Sequence, residues 1–83
     1  MEKSPFSRNY KLFLRLLIEV RKEAGITQEQ LAKRLGETQS FVSKCERGER
    51  RLDLVEVREF CRALGVSFPK FAAQFNRILE KQR

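Results

Sequence analysis

Histidine and tryptophan are absent from this chain of 83 residues, and cysteine occurs only twice. Cys45 and Cys61 without any His cannot supply the ligands of a zinc site built on Cys and His. The missing His also removes the commonest general base, and no Gly-rich phosphate loop or paired nucleophile takes its place. We therefore expect no metal, no cofactor and no enzymatic activity.

Long apolar runs are missing as well. Arg15 and Glu19 interrupt the apolar stretch 12–20, which is too short to span a bilayer and lacks a signal-peptide cleavage site. We expect a cytoplasmic protein with no membrane partner. The cysteine count allows a disulfide, but reduced core thiols are the expected state of Cys45 and Cys61 in that compartment.

Glycine occurs only four times, and each one falls where a helix is expected to end. The fourth, Gly48, is followed by Asp53, which can cap the next helix. The other three stand two residues before a capping residue, in the runs Gly25-Ile26-Thr27, Gly36-Glu37-Thr38 and Gly65-Val66-Ser67. No alternating run is long enough for a strand, so the sequence predicts an all-α fold of five helices.

The helical pattern predicts a single domain over residues 9–83, preceded by an N-terminal arm of residues 1–8. The start signals of helix one conflict, because Ser4-Pro5, Ser7 and Asn9 could each open it, and its helical pattern is clear from about Tyr10. Leu12, Leu16 and Ile18 widen its apolar face beyond one ordinary stripe. This helix is therefore either sunk deeply into the core or also touches a partner. Leu54 opens the apolar face of the fourth helix.

The extended C-terminal helix, at about 68–82, carries much apolar surface for the last element of a small domain. Its apolar residues either close the core or form a homodimer seam. We expect both roles, with the first turns in the core and the later ones near the partner. The candidate interface residues are Phe71, Phe75, Ile78 and Leu79.

A helix-turn-helix is predicted at about 27–47. Thr27 with Gln30 can form a capping box, Gly36 ends the first helix, and Thr38 caps the second. The second helix has no staple or capping box of its own. Its first turn therefore keeps free N–H groups, which can receive a phosphate.

The chain carries 18 basic and 11 acidic residues, a net charge of +7. This balance favours a polyanionic partner, either nucleic acid or an anionic membrane surface. It is also compatible with a merely soluble basic surface. Charge alone does not separate these alternatives.

A resemblance to the Cro/C1-type (XRE) helix-turn-helix domain is carried by Gly25-Ile26-Thr27-Gln28-Glu29-Gln30-Leu31-Ala32, Leu35-Gly36, Gln39-Ser40, Val42-Ser43-Lys44 and Glu46-Arg47-Gly48. Ala63-Leu64-Gly65-Val66-Ser67 is similar to the end of the same domain. The resemblance implies a five-helix, lambda-repressor-like DNA-binding domain of phage and bacterial regulators, usually dimeric. Its partner would be double-stranded DNA.

On the second motif helix, Val42 and Cys45 point to one side, and polar residues cover the other. Such a helix suits a major groove, where Gln can pair with adenine and Lys with guanine. Phe41 lies between the two faces and could reach a thymine methyl group or pack against helix four. The candidate base-reading residues are Gln39, Ser40, Ser43, Lys44 and Phe41.

Backbone contacts are expected on both sides of that helix. The arginines that follow it would flank the groove and neutralise phosphates, and the resemblance gives Gln28 a phosphate contact. It also implies a partly buried, structural ion pair between Arg21 and Glu46. The candidate phosphate-binding residues are Gln28, Thr38, Arg47, Arg50 and Arg51.

These expectations combine into a sequence-specific transcriptional regulator, encoded by a bacterium or phage. A homodimer would bind a palindromic operator and repress by blocking polymerase. The alternative is a protein-interaction module, such as an antitoxin that binds a toxin as well as DNA or instead of it. The apolar surface of the first and last helices favours this second class.

Overall fold

The computed structural model describes residues 5–82, with their side chains from residue 7 onwards. No strand occurs within that range, which confirms the all-α, five-helix prediction. The helices are α1 (Pro5–Glu23), α2 (Gln28–Leu35), α3 (Gln39–Glu46), α4 (Leu54–Leu64) and α5 (Phe68–Lys81).

Helix α1 begins earlier than the sequence indicates. It starts at Pro5, so residues 5–8 are helical and the predicted arm of residues 1–8 has to be corrected there. Proline suits a first helical position because its missing N–H would have no intrahelical partner. Capping signals at Ser7 and Asn9 do not start the helix. Residues 1–4 of the predicted arm lie outside the described part of the chain.

Local capping sets the starts of α2 and α4. The Thr27 hydroxyl accepts the Gln30 N–H at 3.1 Å, and the Gln30 side chain accepts the Thr27 N–H at 2.9 Å. Asp53 and Glu56 form the same capping box before α4, with distances of 2.8 and 3.0 Å. Helix α3 has Thr38 as its cap but no capping box. These differences agree with the prediction from sequence.

The core gathers around α1, which packs against α3 and α5, while α2 packs against α3 and α4. Leu16 is 1% exposed and Leu12 and Ile18 are half-buried, so the widened face of α1 is sunk into the protein. The largest side chains that are almost completely buried are Phe60, Leu16, Leu17, Leu31, Val42, Cys45 and Cys61.

Leu54 is 71% exposed, against the expectation that it joins the core face of α4. It stands at the first position of the helix, before the chain reaches the core, and its neighbour Val55 is equally exposed. Val57 is the first residue of α4 that is buried. Within residues 5–82, no helix combines the length and apolar character needed to cross a membrane.

The turn after α3 brings the backbone close to α1. Gly48 has a φ of +82°, and a Cβ atom placed on it would lie 3.2 Å from Cδ1 of Leu14. Glycine is therefore required here both by the backbone conformation and by the neighbouring side chain. This close approach fixes the start of residues 47–53, which carry three arginines and which we call the arginine loop.

Candidate nucleic-acid interface

Helix α3 separates a buried face from a polar one. Val42 and Cys45 have no exposed surface and anchor the helix in the core. On the outer side, Gln39, Ser40 and Lys44 are exposed. The structure therefore brings three of the five candidate base-reading residues together on one accessible helical face. A short helix with such a face can enter a major groove.

Ser43 lies at the edge of this face and is held by the arginine loop. The Arg47 guanidinium donates from Nη1 to the Ser43 hydroxyl and from Nε to the Glu49 carboxylate at 2.9 Å. This ion pair keeps the pKa of Glu49 below its ordinary value, mainly through the hydrogen bond. Both side chains are 55% exposed, so the pair can exchange with other charged groups at little cost.

Phe41 takes the position against helix four that the sequence left open. The centroid of its ring lies 6.4 Å from the centroid of the Phe60 ring. The Arg50 guanidinium lies 4.8 Å from the centroid of the Phe41 ring. The ring is half-buried between these groups. Because the ring packs in this way, only part of its surface is accessible for contact with a thymine methyl group.

Arg50 is bound by more groups than a solvated surface arginine. Nη2 donates to Oε2 of Glu56 at 2.8 Å, and Nη1 donates to the carbonyl of Arg51 at 3.1 Å. The hydrogen bond from Arg50 is the main reason why the pKa of Glu56 lies below its ordinary value, followed by the Asp53 N–H. Glu56 therefore links the cap of α4 to a candidate phosphate-binding residue.

Arg51 is held by α1 rather than by a carboxylate. Its guanidinium lies 4.1 Å from the ring centroid of Tyr10, and the Tyr10 hydroxyl accepts the Leu52 N–H at 2.9 Å. Tyr10 thus supports the arginine loop in two ways. No sequence pattern indicates this role, because Tyr10 and Leu52 are 42 positions apart and periodicity reports only which face of a helix is apolar.

Arg21 and Glu46 meet at the base of α3, as the resemblance implies. Arg21 Nε lies 2.6 Å from Glu46 Oε2, and Nη2 lies 3.1 Å from Oε1. Gln28 joins them, with Nε2 donating to Glu46 Oε1 at 2.8 Å. In this structure the Gln28 amide is thus tied to the ion pair, and a phosphate contact would have to use its remaining N–H.

Both cysteines are buried thiols. Cys45 and Cys61 are free and have no exposed surface. Burial raises the pKa of each thiol above its ordinary value, although Arg50 opposes the effect at Cys45. A buried thiol with a raised pKa carries little thiolate at neutral pH and reacts slowly.

The candidate dimer residues divide between core and surface. Phe71 is only 5% exposed and packs edge-on against Phe13 with centroids 6.1 Å apart, so it has to be removed from the predicted seam. Phe75 also contacts Phe13, at 6.0 Å, but stays half-buried, as do Ile78 and Leu79. Phe71 is part of the core because it lies in the first turn of α5, where that helix packs against α1.

Comparison with known proteins gives a match that spans the motif and the core. A helix-turn-helix family model matches residues 17–71. An uncharacterized HTH-type transcriptional regulator of Sinorhizobium fredii is 42% identical over 48 residues, which cover 58% of this chain and 62% of that protein. The match thus spans less than two thirds of that relative.

Solved structures share most of this architecture. An XRE-family like protein from Pseudomonas syringae pv. tomato is 45% identical, with a TM-score of 0.84 over 88% of this chain and 89% of that one. The restriction-modification controller protein C.AhdI from Aeromonas hydrophila is 31% identical, with a TM-score of 0.68 over 77% and 97%. The chain belongs to the helix-turn-helix family, with a domain of the Cro/C1 (XRE) type.

Proposed function

We propose that this chain is a sequence-specific DNA-binding transcriptional regulator that places α3 in the major groove. The observation that carries the proposal is the exposed row of Gln39, Ser40 and Lys44 on a helix anchored by Val42 and Cys45. Side-chain amide, hydroxyl and ammonium groups are the donors and acceptors that read base edges. The names of its relatives, which include transcriptional regulators and a restriction-modification controller, support the same function.

Base reading would rest on the outer face of α3, and positioning on groups around it. Gln39 and Lys44 are the main candidates for base contacts, with Ser40 and Ser43 beside them. Phe41 contributes mainly by packing. Backbone phosphates would be held by Thr38 and the free N–H groups of the first turn of α3, by the second N–H of Gln28, and by the arginine loop.

A homodimer on a palindromic operator follows from the geometry that this type of reader needs. Two copies of α3 would have to lie about 34 Å apart to enter successive major grooves on one side of the duplex. The half-buried Phe75, Ile78 and Leu79 on the later turns of α5 are the proposed seam. Repression by occluding polymerase is the simplest consequence, in the cytoplasm of a bacterium or of a phage host.

Selection of bound sequences from a random duplex pool tests the proposal. We expect a palindromic consensus with half-sites one helical turn apart, and an affinity that falls with salt by a log–log slope of about −0.9 per phosphate contacted. If the selection enriches no sequence, the chain does not bind DNA sequence-specifically. Binding without salt dependence would contradict the phosphate contacts.

The dimer seam needs its own test. Leu79→Glu should lower the dimer fraction in light scattering, because a charge would be buried at the seam. Gln74→Glu, at an exposed position of the same helix, adds the same charge and should leave the dimer intact. Equal effects of the two changes would place the seam elsewhere.

A protein-binding module is the second candidate. Leu54 and Val55 are each 71% exposed, beside a largely apolar groove of about 360 Å³ between α1, α4 and α5. Exposed apolar patches of this kind mark interaction sites. Leu54→Ser tests this surface. If the variant keeps the dimer fraction and the DNA affinity of the wild type, neither dimerisation nor DNA binding uses this surface, and it is available to another protein.

A further inference from the structure

Glu56 uses each oxygen of its carboxylate for a different task. Oε1 accepts the Asp53 N–H at 3.0 Å and completes the capping box of α4. Oε2 accepts a hydrogen bond from Arg50 Nη2 at 2.8 Å. The cap fixes the carboxylate on the rigid end of a helix, so Glu56 presents Oε2 to Arg50 from a defined position.

Arg50 is held in place on three sides. The Phe41 ring lies under its guanidinium at 4.8 Å, the Arg51 carbonyl accepts one N–H at 3.1 Å, and Glu56 neutralises the charge. Its side chain nevertheless keeps 43% exposure. Arg50 is therefore ordered before any DNA arrives, but its charge is already paired.

The geometry points to Glu56 as an internal competitor of the DNA backbone: it pairs with Arg50 in the free protein and must give way to a phosphate when Arg50 binds the DNA. This inference rests on the proposed DNA-binding function and deepens it. The pair between Arg47 and Glu49 is more exposed, and no helix cap fixes its carboxylate. Glu49 should therefore compete with a phosphate less strongly than Glu56 does.

The exchange has a consequence for the salt dependence of binding. A phosphate that pairs with Arg50 releases its condensed counterion, which strengthens binding at low salt. The displaced Glu56 carboxylate returns to water and attracts a cation of its own. The two ion effects oppose each other, so the contact contributes less to the salt slope than an unpaired arginine would.

Glu56→Gln separates the two tasks of the side chain. Glutamine also closes a capping box, so α4 keeps its start, but the charge that neutralises Arg50 is gone. The probe is a short duplex of random sequence, since a backbone contact does not depend on base identity. We expect tighter binding than wild type at about 50 mM salt, with a slope steeper by no more than about 0.9, so that the advantage shrinks by at most about 3.5-fold by about 200 mM.

Two further variants isolate the Arg50 pair. Glu59→Gln removes the same charge from the same helix, where Glu59 pairs with Arg58 at 3.9 Å and not with Arg50, and should leave the slope unchanged. Arg50→Gln removes the partner, and in that background Glu56→Gln should change neither affinity nor slope. Circular dichroism of each variant first establishes equal helix content.

Several results would overturn the inference. If Glu59→Gln steepened the salt slope equally, or if the effect of Glu56→Gln persisted without Arg50, the change in net charge alone would explain the result. Weaker binding with an unchanged slope would leave Glu56 only its role as a cap. A wild-type chain that does not bind the duplex at any salt concentration would overturn the proposed function itself, a result distinct from the other three.

Discussion

Arg21 and Glu46 join the end of α1 to the end of α3 by two hydrogen bonds, 2.6 Å from Nε and 3.1 Å from Nη2. Arg21 also donates to the Ile26 carbonyl at 2.8 Å, and Glu46 accepts from Gln28 at 2.8 Å. Both charged residues are less than a tenth exposed. The pair therefore fixes the base of the helix-turn-helix from inside the protein.

Breaking this pair on one side should destabilise the fold strongly. Glu46→Leu leaves the Arg21 guanidinium buried without its carboxylate partner and with its hydrogen bond to the Ile26 carbonyl, and should lower the free energy of unfolding by about 3–5 kcal/mol. Arg21→Met with Glu46→Leu should lose less than the sum of the two single changes, because no lone buried charge remains. Urea denaturation with a double-mutant cycle measures both.

The exposed pair between Arg47 and Glu49 is the matched control for that cycle. Its carboxylate is more than half exposed, so Glu49→Gln should leave the unfolding free energy almost unchanged. If Glu46→Leu were equally mild, the Arg21 charge would have found solvent, and the pair would not be the internal tie described above.

Gly48 should be the most sensitive of the helix-ending glycines to substitution. Any side chain there meets the cost of a left-handed backbone, about 1–2 kcal/mol, and Ala would also press on Leu14 at 3.2 Å. Gly36→Ala has the same backbone cost with nothing within 4 Å of its Cβ. Thermal unfolding should show the larger loss for Gly48→Ala; equal losses would mean that Leu14 moves aside freely.

The two thiols should resist alkylation until the chain unfolds. Burial raises the pKa of Cys45 and Cys61, so both the thiolate fraction and the access of reagent are small in the native state. Ala73→Cys adds an exposed thiol on α5 as the reactive control. Mass spectrometry after brief iodoacetamide treatment should find only the added thiol modified. Rapid native labelling of Cys45 would show that the α3 packing opens.

The sequence was sufficient for the helices because their boundaries depend on local chemistry. Thr27 with Gln30, and Asp53 with Glu56, satisfy backbone groups within four residues of chain, so their spacing alone predicts the caps. The start of α1 is the exception, because capping signals at Ser7 and Asn9 compete with Pro5, where the helix begins. Several short-range signals of similar strength cannot be ranked without tertiary packing.

The surroundings of the site could not be predicted in the same way. Arg50 lies against the Phe41 ring, Arg51 lies against the Tyr10 ring, and Phe71 packs edge-on against Phe13. Each contact depends on how the arginine loop or a helix packs against another helix. Helical periodicity assigns a residue to a face but not to a neighbour. The exposed face of α3 was predictable because a single helix determines it.

Lys44 should supply sequence preference rather than general affinity. It is exposed on the outer face of α3, and Lys44→Ala should cost about 1–3 kcal/mol at one base position of the selected operator while other positions keep their preference. Competition binding with operator variants, one base pair changed at a time, measures this pattern. Lys70→Ala, exposed near the start of α5, changes net charge equally and is the control.

The alternative outcome for Lys44 is equally specific. A phosphate contact carries no base information, so its loss would weaken all operator variants uniformly and reduce the salt slope by about one. Because Lys44 and Gln39 share the accessible face of α3, Gln39→Ala should relax a different base position from Lys44→Ala. Relaxation of the same position by both changes would mean that α3 meets the groove at its end rather than along its face.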